Sequence, residues 1–324
     1  RRLRRFAMTI LAGSPKPLTE EEAQWHWPAI SLVLLLALPG EARGSCRTLA
    51  LVGDVMLGRG VAADLGGDWA AAFAPVAEAL RGADLAFANL ESPLTTAPQT
   101  AAGYDLRAPP EAAAALGEAG FDVVALANNH ALDAGETGLL ETEAVLARAG
   151  VTGIRGEAIH CSNSICVLAL DDSGPAVDVE MATEWVSAAA AEGDLLIVSI
   201  HWGGEYQAQP SPRQERLARA LVAAGADLVV GHGPHVLQRI EWVEGAPVAY
   251  SLGNFLFDQA YPADCHQGAI LQVIACGSRV CGIEVVPTVV EDGRIQLAGS
   301  EEAEAILQRL HHQEHLTKTG QFEP

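Results

Sequence analysis

Six short, almost continuously apolar runs alternate with helix-forming segments along this chain of 324 residues. Runs of Val, Leu, Ile and Ala of this length are typical of strands that are buried on both faces. They cover residues 48–52, 84–88, 122–127, 194–200, 227–230 and 247–252. The segments rich in Ala, Leu and Glu, the strong helix formers, cover residues 69–81, 110–119, 136–149, 180–191 and 212–224. This alternation predicts a layered α/β domain.

The pattern changes after residue 269. Strand-like runs joined by tight turns extend to residue 297, and a polar helix follows from residue 301 to about residue 316. The sequence between residues 46 and 316 contains no internal repeat or low-complexity linker. We therefore expect one domain over residues 46–316, with a leader over residues 1–45 before it and a tail over residues 317–324 after it.

The leader contains an uninterrupted apolar run, AISLVLLLAL, over residues 29–38. A run of this length is short for a membrane span but suits the apolar region of a signal peptide. Pro39 and Gly40 end the run, and small residues flank Arg43 before Ser45. A signal peptide or membrane anchor is the favoured interpretation, and a buried helix is the alternative. The domain is then expected at the periplasmic or extracellular face of a membrane.

Acidic residues outnumber basic ones, with 41 Asp and Glu against 20 Lys and Arg and a formal net charge of −21. The leader holds six of the basic and four of the acidic residues, so residues 46–324 carry a net charge of −23. Nucleic-acid binding depends on cationic side chains that release counterions from the phosphate backbone, and a surface this acidic repels that backbone. Nucleic acid is therefore excluded as a partner.

The cysteines agree with export, since disulfides form and persist in oxidising compartments. Two pairs share a spacing of four intervening residues with turn formers between them: Cys161 with Cys166, and Cys276 with Cys281. Each pair can close across a β-hairpin, and free buried thiols or a metal site are the alternatives. Cys46 and Cys265 remain, and could pair with each other.

Side chains that can bind a metal follow every one of the six apolar runs. They are Asp54; Asn89 and Glu91; Asn128, Asn129, His130 and Asp133; His201; His232 and His235; and Asn254. Ligands of open α/β sheets bind beyond the carboxyl ends of the strands, so these side chains are expected at one edge. Taken singly, Asp54 is an ordinary turn residue and His201 a core histidine. Taken together, carboxylates, amides and imidazoles form the donor set that divalent cations need.

Six segments resemble, in order and over about residues 48–290, the signature motifs of the CapA/PgsA capsule-biosynthesis proteins of the metallophosphoesterase superfamily. They are GDVMLGR (53–59), NLESPL (89–94), ANNHALDAGETGL (127–139), HWGGEY (201–206), GADLVVGHGPHVLQ (225–238) and YSLGNFLFDQ (250–259). The resemblance implies a four-layer α/β/β/α sandwich of the calcineurin-like type, with a metal site at the top of two sheets. It also implies a role in poly-γ-glutamate capsule synthesis or export.

The resemblance assigns roles to individual residues. One or two ions of Mn, Fe or Zn are implied, with the ligands Asp54, Glu91, Asn129, His201, His232 and His235. His130 resembles the residue that protonates the departing group, so His130 and Asp54 are the implied catalytic residues. The sequence departs from phosphoesterases at Met56, where an imidazole ligand is usual, and at Glu91, which replaces a bridging Asp. The last motif, residues 232–235, is one residue longer than usual.

Five residues are candidates for substrate contact: Arg59, Asn89, Glu205, Tyr206 and Asn254. The family association suggests poly-γ-glutamate, a polyanion, and another anionic substrate is the alternative. Capture of a polyanion by so acidic a domain needs local positive charge from metals or from Arg59, Arg107 or Arg213. A surface ion pair is the alternative role for Arg59.

Three functions remain open for this sequence. The first is an exported hydrolase that uses a metal-activated water on a phosphoester or a γ-glutamyl amide. The second is a noncatalytic, polymer-binding component of an assembly with membrane-bound capsule synthesis proteins. The third is a stand-alone exported phosphatase.

Overall fold

The computed structural model describes residues 46–310 and 321–322 of the chain. The predicted leader, residues 1–45, lies outside the described residues. So do the end of the last predicted helix and most of the predicted tail, residues 311–320 and 323–324. Among the described residues, no helix is long and apolar enough to cross a membrane.

The described residues form fifteen strands and seven α-helices. The strands are β1 (Cys46–Val55), β2 (Leu85–Leu90), β3 (Val123–Ala125), β4 (Thr152–Ile154), β5 (Gly156–Ser162), β6 (Ile165–Asp171), β7 (Leu195–His201), β8 (Leu228–His232), β9 (Leu237–Val243), β10 (Ala246–Leu252), β11 (Asn254–Leu256), β12 (Gln267–Cys276), β13 (Arg279–Glu291), β14 (Arg294–Leu297) and β15 (Gln321–Phe322). The helices are α1 (Arg59–Leu65), α2 (Ala77–Arg81), α3 (Ala113–Ala119), α4 (Gly135–Arg148), α5 (Val179–Ala190), α6 (Pro212–Ala223) and α7 (Ser300–Leu310).

These strands build two sheets. The first has the order β14-β13-β12-β1-β2-β3-β4, with β11 beside β1 and β15 beside β13. Its strands β1 to β4 run parallel, whereas β12 to β14 pair antiparallel. The second sheet has the order β5-β6-β7-β8-β10-β9 and is parallel except at its two edge strands. The six predicted strands are therefore divided, three to each sheet.

Three clusters of buried apolar side chains separate the layers. Helices α1 to α4 pack on the outer face of the first sheet, where the rings of Phe73, Phe121 and Phe255 contact one another. Burying each of these rings contributes about 1.5–3 kcal/mol relative to leaving it in water. The second cluster fills the space between the sheets, and the third joins α5 and α6 to the outer face of the second sheet. The four-layer α/β/β/α sandwich implied by the resemblance is confirmed.

Some local elements differ from their predictions. The predicted helix over residues 69–81 is a 3-10 helix over Trp69–Ala72 followed by α2, because Pro75 between them has no N–H to donate within a helix. The predicted strand over residues 122–127 shortens to β3. The sequence pattern does not predict α1, β4 or β9, because these elements are short or mix polar and apolar residues.

One of the two predicted hairpin disulfides is confirmed and the other is wrong. Cys161 and Cys166 face each other across the hairpin of β5 and β6 and are bonded. In the hairpin of β12 and β13, turn residues 277–278 follow Cys276 directly, so Cys276 faces Arg279. Cys281 lies two residues beyond Arg279 and so does not face Cys276. The two cysteine pairs have the same spacing in sequence, but their hairpins differ in strand register.

The other disulfide joins two strands that are distant in sequence. Cys46 at the start of β1 faces Cys276 on the neighbouring β12 and is bonded to it, 230 residues along the chain. Cys281 is an exposed free thiol and Cys265 a buried one. The sequence had left the partners of Cys46 and Cys265 open, and the structure does not pair them with each other.

Candidate metal centre

Five ionisable side chains from both sheets meet at one edge of the sandwich. Strands β1 and β2 bring Asp54 and Glu91 from the first sheet. Strands β7 and β8 bring His201 and His232 from the second, and His235 follows three residues later. All five are buried, and ligand atoms of Asp54, Glu91 and His201 lie within 4.8 Å of one another. The structure thus brings together five of the six predicted metal ligands.

Asp54 receives contacts on both of its carboxylate oxygens. Asn89 Nδ2 donates to Oδ1 at 2.8 Å, and the backbone N–H of Gly233 donates to Oδ2 at 3.3 Å. His232 Nδ1 lies 3.4 Å from Oδ1, and His235 Nδ1 lies 3.2 Å from Oδ2. Burial alone would raise the pKa of the Asp54 carboxyl, but the two imidazoles hold this pKa well below its usual range. Asp54 is therefore an anion at neutral pH.

Glu91 Oε1 faces three imidazoles. Its distances to Nε2 are 3.2 Å for His201, 3.8 Å for His235 and 4.0 Å for His130. Burial by itself lowers the pKa of His235, but the charge of Glu91 and the contact with Asp54 raise it to about 9. Burial likewise lowers the pKa of His201, while the charge of Glu91 raises it, and the net direction is upward.

The longer last motif turns sharply, so that both of its imidazoles reach Asp54. Gly233 has a φ of 102° and His235 a φ of 58°, both in the left-handed region. A Cβ at position 233 would lie 2.9 Å from Cε1 of His201, so only glycine fits there. Both imidazoles of this longer motif therefore lie beside the same carboxylate.

Several buried polar atoms in this cluster have no hydrogen-bond partner among the described residues. They are Glu91 Oε2, His201 Nδ1, and both ring nitrogens of His232. Leaving such a group unpaired costs about 1–3 kcal/mol, and folded proteins seldom do so. Carboxylate oxygens and imidazole nitrogens are ligands of Mn, Fe and Zn, and an imidazole binds such an ion in its neutral form. The residues therefore fit a divalent cation.

Met56 occupies the position where phosphoesterases have an imidazole ligand. Its side chain is fully buried, and its Sδ accepts a hydrogen bond from the backbone N–H of Gly58 at 3.0 Å. A thioether is a soft ligand that suits Cu(I) better than Mn, Fe or Zn. The count of one or two ions stays a prediction.

The sixth predicted ligand, Asn129, has an exposed side chain, and its role stays a prediction. The preceding residue, Asn128, is buried and donates from Nδ2 to Asn89 Oδ1 at 3.0 Å and to the carbonyl of Leu90 at 2.9 Å. Its own Oδ1 accepts from the backbone N–H of His130 at 3.1 Å. Asn128 therefore holds the segment that carries the predicted proton donor.

His130 is oriented by a carboxylate three residues further on. Its Nδ1 lies 2.8 Å from Asp133 Oδ2, while its Nε2 faces Glu91 Oε1. Asp133 is buried and His130 is partly exposed, so the imidazole lies at the mouth of the cluster. In the sequence, Asp133 is found among the strand-end residues, but no role was assigned to it. Its spacing of three residues from His130 was the feature that could have indicated a contact between them.

The five residues predicted to contact substrate divide into three groups. Asn89 and Asn254 are fully buried, and Asn254 Oδ1 lies 3.0 Å from His235 Nδ1, so these two amides position the centre's own side chains. Glu205 and Tyr206 are exposed in the loop after β7. Arg59 forms a two-contact ion pair with Asp258.

The other two arginines proposed to attract a polyanion are also paired. Arg107 donates from Nε to Asp105 Oδ1 at 2.8 Å and from a second nitrogen to Oδ2 at 2.7 Å. Arg213 donates from Nε to Asp172 Oδ2 at 2.7 Å and from a second nitrogen to Oδ1. The expectation that these arginines offer free positive charge is therefore not met in this structure.

Asp171 is a neighbour of the centre that the sequence reasoning missed. It ends β6 beside His201, and its Oδ1 lies 3.9 Å from His201 Nδ1. Because β6 is recognisable as an apolar run, extending the strand-end rule to it would have found Asp171.

Comparison with known proteins gives, for most of the chain, the same family that the sequence motifs resemble. Residues 48–157 and 160–259 match the family model described as "Bacterial capsule synthesis protein PGA_cap". A "Capsule biosynthesis protein CapA" of Bacillus anthracis is 32% identical over 282 residues, covering 76% of this chain and 68% of that protein. A "PGA biosynthesis protein CapA" of Bacillus subtilis is 34% identical over 244 residues, covering 65% of this chain and 63% of that protein. The chain thus spans about two thirds of the length of these curated relatives.

The fold also matches that of a solved structure. A novel phosphatase from Mycoplasma pneumoniae superposes with a TM-score of 0.51 and 14% identity, covering 76% of this chain and 94% of that one. At this identity the likeness concerns the fold alone. It agrees with the metallophosphoesterase-type sandwich.

Proposed function

The chain belongs to the PGA_cap family of bacterial capsule synthesis proteins, and on that premise we propose that it is an exported, metal-dependent hydrolase of poly-γ-glutamate capsule synthesis. One observation carries the proposal. Two buried carboxylates and three buried imidazoles converge at the carboxyl ends of strands from both sheets, and several of their polar atoms lack partners among the described residues.

Asp54, Glu91, His201, His232 and His235 would hold the divalent cation, and Asn129 is a further candidate ligand. Bound there, the cation supplies a Lewis acid that polarises a phosphoryl or carbonyl oxygen and lowers the pKa of water. The protein contributes the geometry. Asn89 and the backbone of Gly233 hold the Asp54 carboxylate in place.

His130 is the proposed proton donor to the departing group. Asp133 accepts the Nδ1 proton of His130 and thereby fixes the orientation of the ring. This leaves Nε2 on the side of the ring that faces Glu91, where a proton held on Nε2 can pass to the leaving oxygen or nitrogen of a substrate bound at the centre. The remaining groups of the centre are more deeply buried, which excludes most water from the reacting atoms.

Of the two bonds considered, the paired arginines favour the phosphoester. Poly-γ-glutamate would bring one carboxylate per residue to this face, where Arg59, Arg107 and Arg213 are already bound to aspartates. A noncatalytic polymer-binding role is disfavoured for the same reason, because binding a polyanion depends on many contacts between its carboxylates and unpaired cationic side chains.

Export is supported by the two disulfides. Cys46–Cys276 and Cys161–Cys166 both require an oxidising compartment to persist. An exported domain could work beside membrane-bound capsule synthesis proteins. We propose the periplasmic or extracellular face of the membrane as its location.

The proposal is tested with the purified full chain, by metal analysis and by turnover of p-nitrophenyl phosphate and poly-γ-glutamate with and without chelator. We expect one or two bound ions and metal-dependent turnover of the phosphoester. His130→Gln should keep the metal and lose about 10²-fold or more in kcat, and Asp54→Asn should lose the metal as well.

The matched control is His160→Gln. His160 lies on β5 opposite Val167, near the end of that sheet far from the centre, and its replacement should change neither readout. Wild-type turnover in Asp54→Asn, or no turnover of either substrate by metal-loaded protein, would overturn the hydrolase proposal.

A further inference from the structure

Three tyrosines with exposed rings lie in loops that follow strands of the metal centre. In the part of the chain that the structure describes, they are the strongly exposed aromatic side chains: Tyr104 at 77%, Tyr206 at 41% and Tyr261 at 86%. Each lies in a loop that follows a strand of the centre, namely β2, β7 and β11. Scattered single apolar residues need no explanation, but three exposed rings in loops that each follow a strand of one centre do. We call this set the tyrosine rim.

Contacts connect part of the rim to the metal ligands. The Tyr206 ring lies 6.3 Å from the ring of His235, centroid to centroid. Gln259 donates from Nε2 to the Tyr206 hydroxyl at 3.3 Å and accepts from Asn254, the partner of His235. Tyr206 is therefore a neighbour of His235 both directly and through Gln259 and Asn254.

A second member of the rim, Tyr104, contacts Arg59. Its guanidinium carbon lies 5.5 Å from the centroid of the Tyr104 ring, within range of a cation–π contact. The same guanidinium is paired with Asp258, which precedes Gln259. Tyr104 and Tyr206 therefore contact side chains of two successive residues, Tyr104 through Arg59 to Asp258 and Tyr206 to Gln259.

Two residues that make these contacts, Arg59 and Tyr206, have an unfavourable backbone conformation. Seven non-glycine residues among those described have φ between 46° and 61°. Four of them lie in the tight turns of hairpins: Asn163, Ser164, Glu244 and Asp292. The other three are Arg59, Tyr206 and the ligand His235. Bulky residues are strained in this region, and such strained residues cluster at functional sites.

The charges around the rim indicate which part of a ligand it can bind. Arg59 and Arg107 are neutralised by Asp258 and Asp105, and Glu205 adds an exposed carboxylate beside Tyr206. A polyanionic chain finds no free cation in these pairs. A tyrosine ring offers a flat apolar face with a hydroxyl at its edge, which suits an uncharged ring of similar build.

We propose that the tyrosine rim binds an uncharged, flat-faced ring attached to the phosphoryl group, so that the substrate class is a ring-bearing phosphoester. The ring can be a sugar or an aryl group, which share this chemistry. The inference rests on the proposed function only in placing the phosphoryl group at the metal centre.

The test compares binding of phenylphosphonate and methylphosphonate to the manganese-loaded full chain by calorimetry. Wild-type protein should bind phenylphosphonate about tenfold more tightly, since its ring can stack on the tyrosine rings. Tyr206→Ala and Tyr104→Ala should weaken phenylphosphonate binding far more than methylphosphonate binding, and Tyr206→Phe should keep the preference. Ile274→Ala, an exposed apolar side chain opposite Thr48 at the far end of β1, is the matched control and should change neither affinity.

A second arm identifies the kind of ring. Competition by a hexose 1-phosphate stronger than that of glycerol phosphate, and lost in the rim variants, assigns a sugar. If the two compete equally while the phenyl preference stands, the ring is an aryl group.

Equal affinity for the two phosphonates, or equal losses in the rim variants, overturns the inference. Displacement of phenylphosphonate by short poly-γ-glutamate at lower concentration than by the hexose phosphate overturns it in favour of the polymer. Ring-dependent binding without turnover of p-nitrophenyl phosphate contradicts the hydrolase proposal alone, whereas turnover without ring preference contradicts this inference alone. Binding of neither phosphonate overturns both.

Discussion

Two buried amides show how much the centre depends on single residues beyond its ligands. Asn89 donates to Asp54 and accepts from Asn128, so it joins a ligand to the segment that carries the proton donor. Asn254 contacts His235 and donates to the carbonyl of Cys265. An amide can do this because it carries a donor and an acceptor on one planar group.

Asn89→Leu should weaken both the centre and the fold. Leucine has similar volume but offers neither hydrogen bond, so Asp54 loses a donor and Asn128 loses an acceptor in a fully buried place. We expect a loss of about 1–3 kcal/mol in the free energy of unfolding, and about 10- to 100-fold weaker metal binding. Urea denaturation and metal titration measure the two effects.

The control for this substitution is Gln296→Leu, an amide on the edge strand β14, which should leave metal affinity as it is in the wild type. Metal affinity unchanged in Asn89→Leu would mean that the hydrogen bond to Asp54 does not position this ligand.

At the scale of strands, register explains why the centre forms where it does. Within the first sheet, Asp54 pairs with Asn89 on β2 and with Asn254 on β11. Within the second, His201 pairs with His232 on β8. Each sheet therefore assembles half of the set by backbone hydrogen bonding, and packing of the two sheets joins the halves.

The disulfide between β1 and β12 should stabilise the protein more than the one within the hairpin of β5 and β6. Cys46 and Cys276 close a loop of 230 residues, whereas Cys161 and Cys166 are five apart. Restriction of the unfolded chain contributes about 5 kcal/mol for the first and about 2 kcal/mol for the second. Urea denaturation of Cys276→Ser and Cys166→Ser, both in a Cys281→Ser background, compares them.

Cys281→Ser alone is the reference, and it should unfold at the wild-type midpoint because Cys281 is exposed and free. A larger loss in Cys166→Ser than in Cys276→Ser would contradict the order expected from loop length.

The molecule as a whole carries far more negative than positive charge. Its formal net charge is −21, and only two of its residues are lysines. The arginines proposed to attract anions are engaged in ion pairs. Repulsion among the remaining carboxylates opposes the compact state. Exposed ion pairs offset little of this, since each contributes about 0–1 kcal/mol.

Added salt should therefore stabilise the protein. Raising NaCl from low to high concentration shortens the range of the repulsion, so the midpoint of urea denaturation should rise. The measurement is made on chelator-treated protein, so that metal binding does not contribute. A fall in the midpoint would show that ion pairs outweigh repulsion in this fold.

The local pattern of the sequence was sufficient for most of the buried strands and longer helices and for the chemistry of the centre. Apolar runs predicted the buried strands, and the donors that follow them predicted the five side chains from Asp54 to His235 that converge. The hairpin disulfide Cys161–Cys166 was equally local. These features depend on residues that are close together in the chain, so they can be predicted from a single sequence.

Only the tertiary structure decided which partners distant residues find. The division of strands between two sheets, the bond from Cys46 to Cys276, the pairing of Arg59 with Asp258 and the burial of Asn89 all join segments far apart in sequence. Such contacts arise from strand register and from packing between layers. Many registers satisfy the same pattern of apolar and polar residues, and the one adopted is selected by the packing of the whole core.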